Sequence, residues 1–168
     1  LTDIKSSPYP GASVVPSYCK ATYDRRLLVG ETKESVLKPI VELIEELKKN
    51  KPNVDYKVSY ARGKEKCHTG AFIEGERFFP AWCYDQNEVF VKNTYEKLKS
   101  IGIMPKITNY SFCTNGSHYA GEAGIKTIGF GPSKENIAHT IDEYIEIEQL
   151  EKACKGYYVI MDSLLELI

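Results

Sequence analysis

The stretch KTIGFGPSKENIAHTIDE, residues 126–143, decides how the second half of this chain is expected to fold. Its first five residues, 126–130, have the pattern of a short strand, and the glycine-proline pair at 131–132 predicts a loop directly after it. His139 follows that loop at the carboxyl end of the strand, where open α/β sheets place their functional sites. A Thr-x-x-Glu capping-box pattern begins at the next residue and would fix the backbone that holds the imidazole.

Two helices and a second strand surround this stretch. Residues 106–112 predict another strand, with a loop and a short helical turn between the two. A helix from Asp85 to Ser100, with Gly102 as its stop signal, precedes them. A helical stripe runs to the end of the chain at positions 150, 153, 154, 157, 160, 161, 164, 165 and 168. Helix–strand–turn–strand–helix is the order expected of a three-layer α/β domain.

Residues 1–60 predict a different kind of lobe. Residues 2–5 read as the end of a strand, and residues 18–27 alternate as a strand that is buried on one face. Residues 54–60 alternate again as a strand. With a helix between the last two strands, the order favours an open-faced α+β lobe.

The helix of this lobe is expected from Ser35 to about Lys49, where apolar positions follow a helical stripe. Thr32 or Ser35 could cap it. Pro39 would remove a hydrogen bond from the helix interior, which favours a start near Ser35 or a kink. Residues 61–78 carry three glycines and much charge without a clear period, and they predict an excursion that connects two lobes.

Composition sets limits on function. The chain has 168 residues, of which 42% are hydrophobic and 27% charged, as in ordinary globular proteins. A net charge of -1 offers no basic surplus for a phosphate backbone, so no nucleic-acid partner is expected. No apolar run reaches the roughly 18 residues of a spanning helix, and no secretory signal is visible, so no membrane partner is expected.

The five cysteines predict a reducing compartment, and therefore the cytoplasm, because they are odd in number and widely spaced. Cys19 and Cys154 have apolar neighbours and are expected to be buried. Cys67 with His68, or Cys113 with His118, would suggest thiol catalysis only weakly, because neighbouring side chains on an extended chain point apart.

Three other groups of residues could carry chemistry. Asp24 and Arg26 share one face of the expected strand, either as a surface ion pair or as a guanidinium presented to a substrate carboxylate. Asn115-Gly116 is either a simple turn or a loop whose amide groups hold a carboxylate or carbonyl oxygen, with Gly116 permitting close approach. His139 is either a polar loop residue or a metal ligand.

These segments occur together in a specific order. Ser-Val-Val-Pro at 13–16 is followed by YDRRLLVGET at 23–32, TNGS at 114–117, GFGP at 129–132 and AHTIDE at 138–143. The ordered combination resembles the C-terminal part of the dinuclear zinc aminoacylase and carboxypeptidase family, over nearly the whole chain. That family includes succinyl-diaminopimelate desuccinylase, acetylornithine deacetylase and glutamate carboxypeptidase, and the nearest likeness is to its bacterial branch of peptidases and selenium-metabolism-linked hydrolases.

The resemblance implies an α/β fold in two parts. Residues 1–60 would be the later half of a ferredoxin-like α+β lid, which often mediates dimerisation, and residues 61–78 would be a connecting excursion. Residues 79–168 would be the C-terminal part of a three-layer α/β zinc-hydrolase domain. A homodimer formed through the lid is therefore expected.

The resemblance also implies roles for individual residues. His139 would be the last ligand of one of two zinc ions, with cobalt or manganese as alternative metals. Arg26, in preference to its neighbour Arg25, would grip the substrate carboxylate. Asn115, Gly116 and Ser117 would line the substrate pocket.

The other metal ligands of the family are not in this sequence. It has no His-x-Asp pair, its Glu45-Glu46 pair falls in the expected lid helix, and the general-base glutamate is missing. A dinuclear site needs several ligands, which one histidine cannot supply. Ser13 also stands where relatives carry the asparagine of an Asn-x-x-Pro turn. Because Leu1 already lies inside an expected strand, the chain is expected to be a portion of a longer or split enzyme, inactive without its upstream half.

The implied function is metal-assisted hydrolysis of amide bonds in small peptides or N-acyl amino acids. In the complete enzyme two zinc ions would activate a bridging water and polarise the scissile carbonyl. The residues of this chain would orient the substrate and complete the ligand shell of one metal. The alternative is a non-catalytic, lid-type module that dimerises through a sheet edge or a helix, because an incomplete lid exposes unpaired backbone.

Overall fold

A computed structural model describes residues 1–165 and confirms a mixed α/β fold. The helices of this part are Lys33–Asn50 (α1), Val89–Ser100 (α2) and Ile147–Leu165 (α3). The strands are Asp3–Ser7 (β1), Tyr18–Thr22 (β2), Arg62–Lys66 (β3) and Phe72–Glu76 (β4). They pair as two antiparallel hairpins, β1–β2 and β3–β4. No helix in the described residues is both long and apolar enough to span a bilayer.

The chain divides into two compact units. Unit 1 is Leu1–Ala81, and unit 2 begins at Trp82. The hairpin β3–β4 therefore belongs to unit 1, within the residues expected to form the connecting excursion. The assignment of residues 1–60 to a lid and of residues 79–168 to a catalytic domain stays a prediction.

Helix α1 begins at a capping box formed by the two residues that were expected as alternative caps. The Thr32 hydroxyl accepts the Ser35 N–H at 3.2 Å, and the Ser35 hydroxyl accepts the Thr32 N–H at 2.8 Å. Both candidate caps therefore take part, and the helix starts at Lys33, before the expected Ser35. Pro39 lies inside the helix, where its lack of an N–H removes one backbone hydrogen bond.

The hairpin β1–β2 is shorter and more exposed than predicted. The expected strand 18–27 pairs only over Tyr18–Thr22, and its register places Asp3 opposite Thr22. The predicted burial of one face is wrong, because Cys19 is exposed and only Thr22 is half-buried. No other described helix or strand packs against this hairpin, so neither of its faces is covered.

The predicted strand at 54–60 is also wrong, because this stretch has no ladder partner in the described chain. Pairing occurs instead between β3 and β4, where the sequence showed no clear period. Their turn is closed by hydrogen bonds from the Cys67 N–H to the Ala71 carbonyl (2.7 Å) and from the Gly70 N–H to the Cys67 carbonyl (2.9 Å). The cross-strand pairs of this hairpin include charged residues such as Lys64 and Glu74. The two strands therefore lack the hydrophobic alternation that is typical of most strands.

A small junction ties the start of α1 to the end of β4 in unit 1. The Tyr60 hydroxyl donates to the Lys33 carbonyl at 2.8 Å, and its ring meets Phe78 edge-to-face at 5.3 Å. The Lys33 ammonium donates to the Glu76 carboxylate at 2.8 Å. This hydrogen bond and the charge of Lys33 hold the pKa of Glu76 below its ordinary value. Phe78 is one of the few buried apolar side chains of this unit.

The core of unit 2 lies between α2 and α3. Phe90 and Leu98 on α2 are 1% and 3% exposed, and Ile160 on α3 is buried against that side. Two buried hydroxyls satisfy one another across the interface, because the Thr94 and Ser163 oxygens lie 3.2 Å apart. The helices predicted for both segments are confirmed, although Asp85 lies before α2 and residue 168 lies outside the described residues. The buried face of α3 consists of Ala153, Gly156, Ile160 and Ser163, so of the described positions of the predicted stripe only 153 and 160 are buried.

Cys154 is exposed, as are the stripe positions Leu150, Tyr157, Met161 and Leu165. It directly follows Ala153, which is 3% exposed, so the packing face of α3 is narrower than the sequence suggested. Only one side of the helix contacts α2, and the predicted burial of Cys154 is wrong.

The predicted strands 106–112 and 126–130 are not formed, because neither has a ladder partner within residues 1–165. The two segments are nevertheless neighbours, since a β-carbon at Gly129 would lie 2.3 Å from the Tyr110 ring. A pair of strands without further neighbours is marginally stable. The prediction of strands at 106–112 and 126–130 is therefore wrong, although the two segments lie side by side.

The end of the second segment is anchored on α3 by Phe130. A β-carbon at Gly156 would lie 2.6 Å from two atoms of the Phe130 ring, so only glycine leaves room for the ring there. The Tyr157 hydroxyl donates to the Phe130 carbonyl at 2.7 Å, and the two rings meet edge-to-face at 5.4 Å. These contacts fix the point at which the chain enters the loop that carries His139.

The Gly156→Ala substitution is expected to lower the free energy of unfolding by about 1–2 kcal/mol, because the added methyl group displaces the Phe130 ring. Helix propensity alone would favour alanine by about 1 kcal/mol, so a net loss requires the ring contact to dominate. Urea denaturation measures the difference. Gly75→Ala is the control, since nothing lies within 4 Å of its added β-carbon. Stabilisation by Gly156→Ala would contradict the packing.

Candidate functional site

His139 lies in a loop with unusual backbone conformations. Within residues 1–165, three of the four non-glycine residues with positive φ are Ser133, His139 and Asp142, at 75°, 63° and 58°. Left-handed conformation costs such residues roughly 1–2 kcal/mol each. Strain of this kind persists only where surrounding contacts over-determine the backbone, and it concentrates at functional sites.

The base of this loop is fastened to α3. The Ser133 N–H donates to the Gln149 side-chain oxygen at 2.7 Å, and the Ser133 hydroxyl donates to the Tyr144 carbonyl at 3.5 Å. Ser133, where the loop begins, is thereby held beside Tyr144, where the loop ends. Further along, the Thr140 hydroxyl donates to the Ile137 carbonyl at 2.7 Å.

His139 itself is exposed, and its backbone is held by Glu143. The Glu143 carboxylate accepts the His139 N–H at 2.9 Å. The predicted capping box at Thr140 is wrong, because residues 140–146 form no helix and Glu143 reaches the histidine instead of the threonine. In the described chain the imidazole has no hydrogen-bond or ion-pair partner, so both ring nitrogens are available to a ligand.

The Asn115 loop opens the short π-helix Ser117–Glu122. The Asn115 carbonyl accepts the N–H groups of His118 (3.0 Å) and Tyr119 (3.2 Å), while its side chain is exposed. Ser117 differs, because it is 5% exposed and its hydroxyl lies 3.6 Å from the Cys113 sulfur. The amide of Asn115 is therefore the accessible polar group of the predicted pocket loop.

Gly116 is buried beneath the ring of Trp82. A β-carbon at this position would lie 2.6 Å from the ring, closer than any real contact permits. Gly116 was expected to let a ligand approach closely because it has no side chain. In the structure, the indole of Trp82 occupies that space instead. The backbone N–H of Gly116 is also used, because it donates to the Thr114 hydroxyl at 3.1 Å.

One carboxylate brings the two loops of unit 2 together. Glu135, shortly before His139, accepts the Ser111 N–H at 2.9 Å and also the Ser111 hydroxyl. Ser111 shortly precedes Asn115 in the chain. The segments that lead to Asn115 and His139 therefore lie side by side, as a shared site requires. Sequence reasoning missed this contact, since neither residue type marks a functional motif.

Arg26 belongs to unit 1 and lies beyond the end of β2. Its guanidinium is 3.4 Å from the Asp24 carboxylate, and both side chains are more than half exposed. Arg25 is engaged more closely, because it pairs with Glu31, whose carboxylate also accepts the Leu28 N–H at 2.7 Å. Arg26 is thus the arginine with the less closely engaged guanidinium, and its role in binding a substrate carboxylate stays a prediction.

Residues 1–165 contain no group of three or more His, Cys, Asp or Glu side chains that could hold a metal ion. His139 fits a metal as a single ligand, because its imidazole is exposed, unpartnered and supported by a carboxylate behind its backbone. The cysteines near His118 do not suggest another centre: the Cys113 sulfur contacts Ser117, and the His118 ring contacts Glu122 at 2.8 Å.

Comparison with known proteins identifies relatives of the chain. The model of Peptidase family M20/M25/M40 matches residues 13–163. Two curated relatives, both named "Uncharacterized protein YgeY", come from Escherichia coli strain K12 and from Escherichia coli O157:H7. Each is 36% identical over 137 residues, which cover 80% of this chain and 32% of the relative. The chain therefore spans about a third of the length of these relatives, 32%. No solved structure matches it.

An aromatic pair lies beside the tie between the two loops. The rings of Tyr110 and Phe112 stack at 4.7 Å with an interplanar angle of 14°. Burial raises the pKa of Tyr110 above its ordinary value, and the negative charges of ionised Tyr157 and Glu135 add to the effect. The only sequence signal for this pair is their spacing of two, which places both on one face of an extended segment.

Raising the pH above about 10 is expected to destabilise the protein through Tyr110. Because its folded pKa is raised, the unfolded state loses the phenolic proton first, so the free energy of unfolding is unaffected below that pH and falls above it. Urea denaturation between pH 9 and about 11 measures the slope. Tyr110→Phe should flatten it, whereas Tyr158→Phe, at an exposed position, should not. Equal slopes in wild type and Tyr110→Phe would contradict the expectation.

Proposed function

Because the chain belongs to peptidase family M20/M25/M40, we propose that it is part of a metal-dependent hydrolase that cleaves amide bonds of small peptides or N-acyl amino acids. Such an enzyme would act as a carboxypeptidase, an aminoacylase or a deacetylase. The chain spans 32% of its curated relatives, so the other metal ligands and the general-base glutamate would come from an upstream half. Zinc is the proposed metal, with cobalt or manganese as alternatives.

The single observation that carries this proposal is the geometry of His139. Its imidazole is exposed and unpartnered in the described chain, and its backbone is fixed by Glu143. A neutral imidazole is the commonest metal ligand in proteins. A bound metal would supply Lewis-acid chemistry to the scissile carbonyl. His139 would hold that metal, and the fastened base of its loop would limit how far the imidazole can move.

The Asn115 loop would orient the substrate. Its exposed side-chain amide can accept or donate a hydrogen bond. The ring of Trp82 over Gly116 and the buried Ser117 hydroxyl hold the loop from behind. The tie between Ser111 and Glu135 keeps this loop beside that of His139, so that a bound acyl group could contact both.

Arg26 would grip the substrate carboxylate. Guanidinium and carboxylate form two parallel hydrogen bonds, which fix orientation as well as position. The exposed ion pair with Asp24 at 3.4 Å is weak enough to be exchanged for a substrate. Arg26 would therefore contribute binding and alignment, and no proton transfer.

The exposed apolar surface of unit 1 favours association between copies of the enzyme as a second function. Val36 is the buried residue of α1, whereas Ile40, Val41 and Leu43 on the same helix are 41%, 42% and 54% exposed. Among the described elements, none packs along α1 beyond the Lys33–Glu76 ion pair at its start, and none packs on the hairpin β1–β2. We propose that unit 1 mediates homodimerisation. A dimer is compatible with a catalytic enzyme and also with the alternative, a non-catalytic dimerisation module.

The substitution His139→Ala in the full-length protein is expected to weaken zinc binding by at least about tenfold, because one ligand is lost. Titration of the metal-free protein with zinc measures the dissociation constant. His68→Ala, at an exposed position in the β3–β4 turn, is the matched control and should leave it unchanged. If His139→Ala binds zinc as the wild type does, the ligand role is wrong. A stable dimer that binds no zinc would favour the non-catalytic module.

The substitution Arg26→Ala is expected to raise KM about 10-fold to 100-fold for a substrate with a free carboxylate, and to change kcat less. Steady-state kinetics of the full-length enzyme on an N-acyl amino acid measures both constants. Arg25→Ala should change KM much less, because Arg25 is engaged by Glu31. With the corresponding amide, which lacks the carboxylate, Arg26→Ala should have little effect. An equal effect on both substrates would contradict the carboxylate role.

A further inference from the structure

The backbone of His139 is held in a conformation that is unfavourable for any residue with a β-carbon. Its φ of 63° lies in the left-handed region, where the β-carbon comes too close to the following carbonyl oxygen. Asp142 is also left-handed, at 58°, and it turns the chain back toward the histidine. The turn brings the Glu143 carboxylate within 2.9 Å of the His139 N–H.

A hydrogen bond to an ionised carboxylate is strong enough to offset this cost. Such bonds are roughly twice as strong as hydrogen bonds between neutral partners. Without it, the backbone at His139 would relax toward negative φ. Rotation about the N–Cα bond swings the β-carbon, and the imidazole would then point in a different direction.

We propose that Glu143 is a positioning residue that aims the His139 imidazole by holding its N–H, and that it does not contact the metal. The inference rests on the proposed role of His139 as a metal ligand. It differs from the usual support of a metal-bound histidine, in which a carboxylate accepts the second ring N–H. Here the carboxylate acts through the backbone, and the ring keeps both nitrogens available.

Zinc titration of the metal-free, full-length protein tests the inference. Glu143→Ala should weaken zinc binding by about 10-fold to 100-fold, as the loss of an outer-shell partner does in other metal sites. Glu143→Gln should recover most of the affinity, because its amide oxygen can accept the same N–H. Glu143→Asp should behave like alanine, since its shorter side chain keeps the charge but does not reach the N–H. Glu151→Ala, at an exposed position on α3, is the control and should bind as the wild type does.

The carbon-edited NMR signals of the histidine rings give a readout that is independent of zinc. In the metal-free protein, the His139 ring signals should move toward random-coil positions in the Ala and Asp variants and remain near wild-type positions in the Gln variant. Wild-type affinity in Glu143→Asp together with a loss in Glu143→Gln would show that charge and not the hydrogen bond matters, and would overturn the inference.

The result for His139→Ala separates the two proposals. If this variant loses zinc affinity and all Glu143 variants keep it, the ligand role stands and the positioning role is wrong. If His139→Ala itself keeps the affinity, the proposed function fails instead. Circular dichroism identifies any variant that does not fold, and the Gln and Asp variants, which change the side chain least, then decide the outcome.

Discussion

The contact between the Phe130 ring and Gly156 is the constraint on which the rest of unit 2 depends. The ring occupies the space of a missing β-carbon on α3, the helix whose other contacts form the core with α2. Since Phe130 directly precedes the loop that carries His139, its position fixes where that loop begins. The bond from Ser133 to Gln149 continues the same attachment along α3. The site therefore inherits its rigidity from helix packing, although His139 itself lies in no helix.

A second regularity appears where candidate residues lie outside regular structure. A glutamate accepts a backbone N–H within four residues of three of them. Glu31 accepts that of Leu28, after Arg26; Glu135 accepts that of Ser111, before Asn115; and Glu143 accepts that of His139 itself. Loops cannot satisfy their N–H groups through a ladder or a helix, and a charged acceptor forms the strongest substitute. Each candidate group thus has a braced backbone next to an exposed side chain, which is the arrangement that a binding site needs.

Helices were predictable from this sequence, and strands were largely not. The apolar stripes of α1 and α3 and the start and stop signals of α2 are local patterns, and the described residues contain a helix at each of the three places. A strand is a property of two segments, and alternation at 54–60 or 106–112 cannot show whether a partner exists. The hairpin β3–β4 forms where no strand was predicted. It is determined by its turn and by charged cross-strand pairs, and neither of these produces hydrophobic alternation in the sequence.

The candidate site divides along the same line. His139, Asn115 and Arg26 could be found in the sequence, because the chemistry of a side chain is local information. Their supports could not be found in this way, because the partners of Glu135 and of Gly116 lie far apart in the chain. This division has a consequence for metal binding. A lone imidazole contributes to a multi-ligand site only if its direction is fixed before the other ligands arrive; otherwise ordering it would cost part of the binding free energy. In the proposed metal site, the contacts around the His139 loop would hold the histidine backbone in place within this chain before the remaining ligands bind.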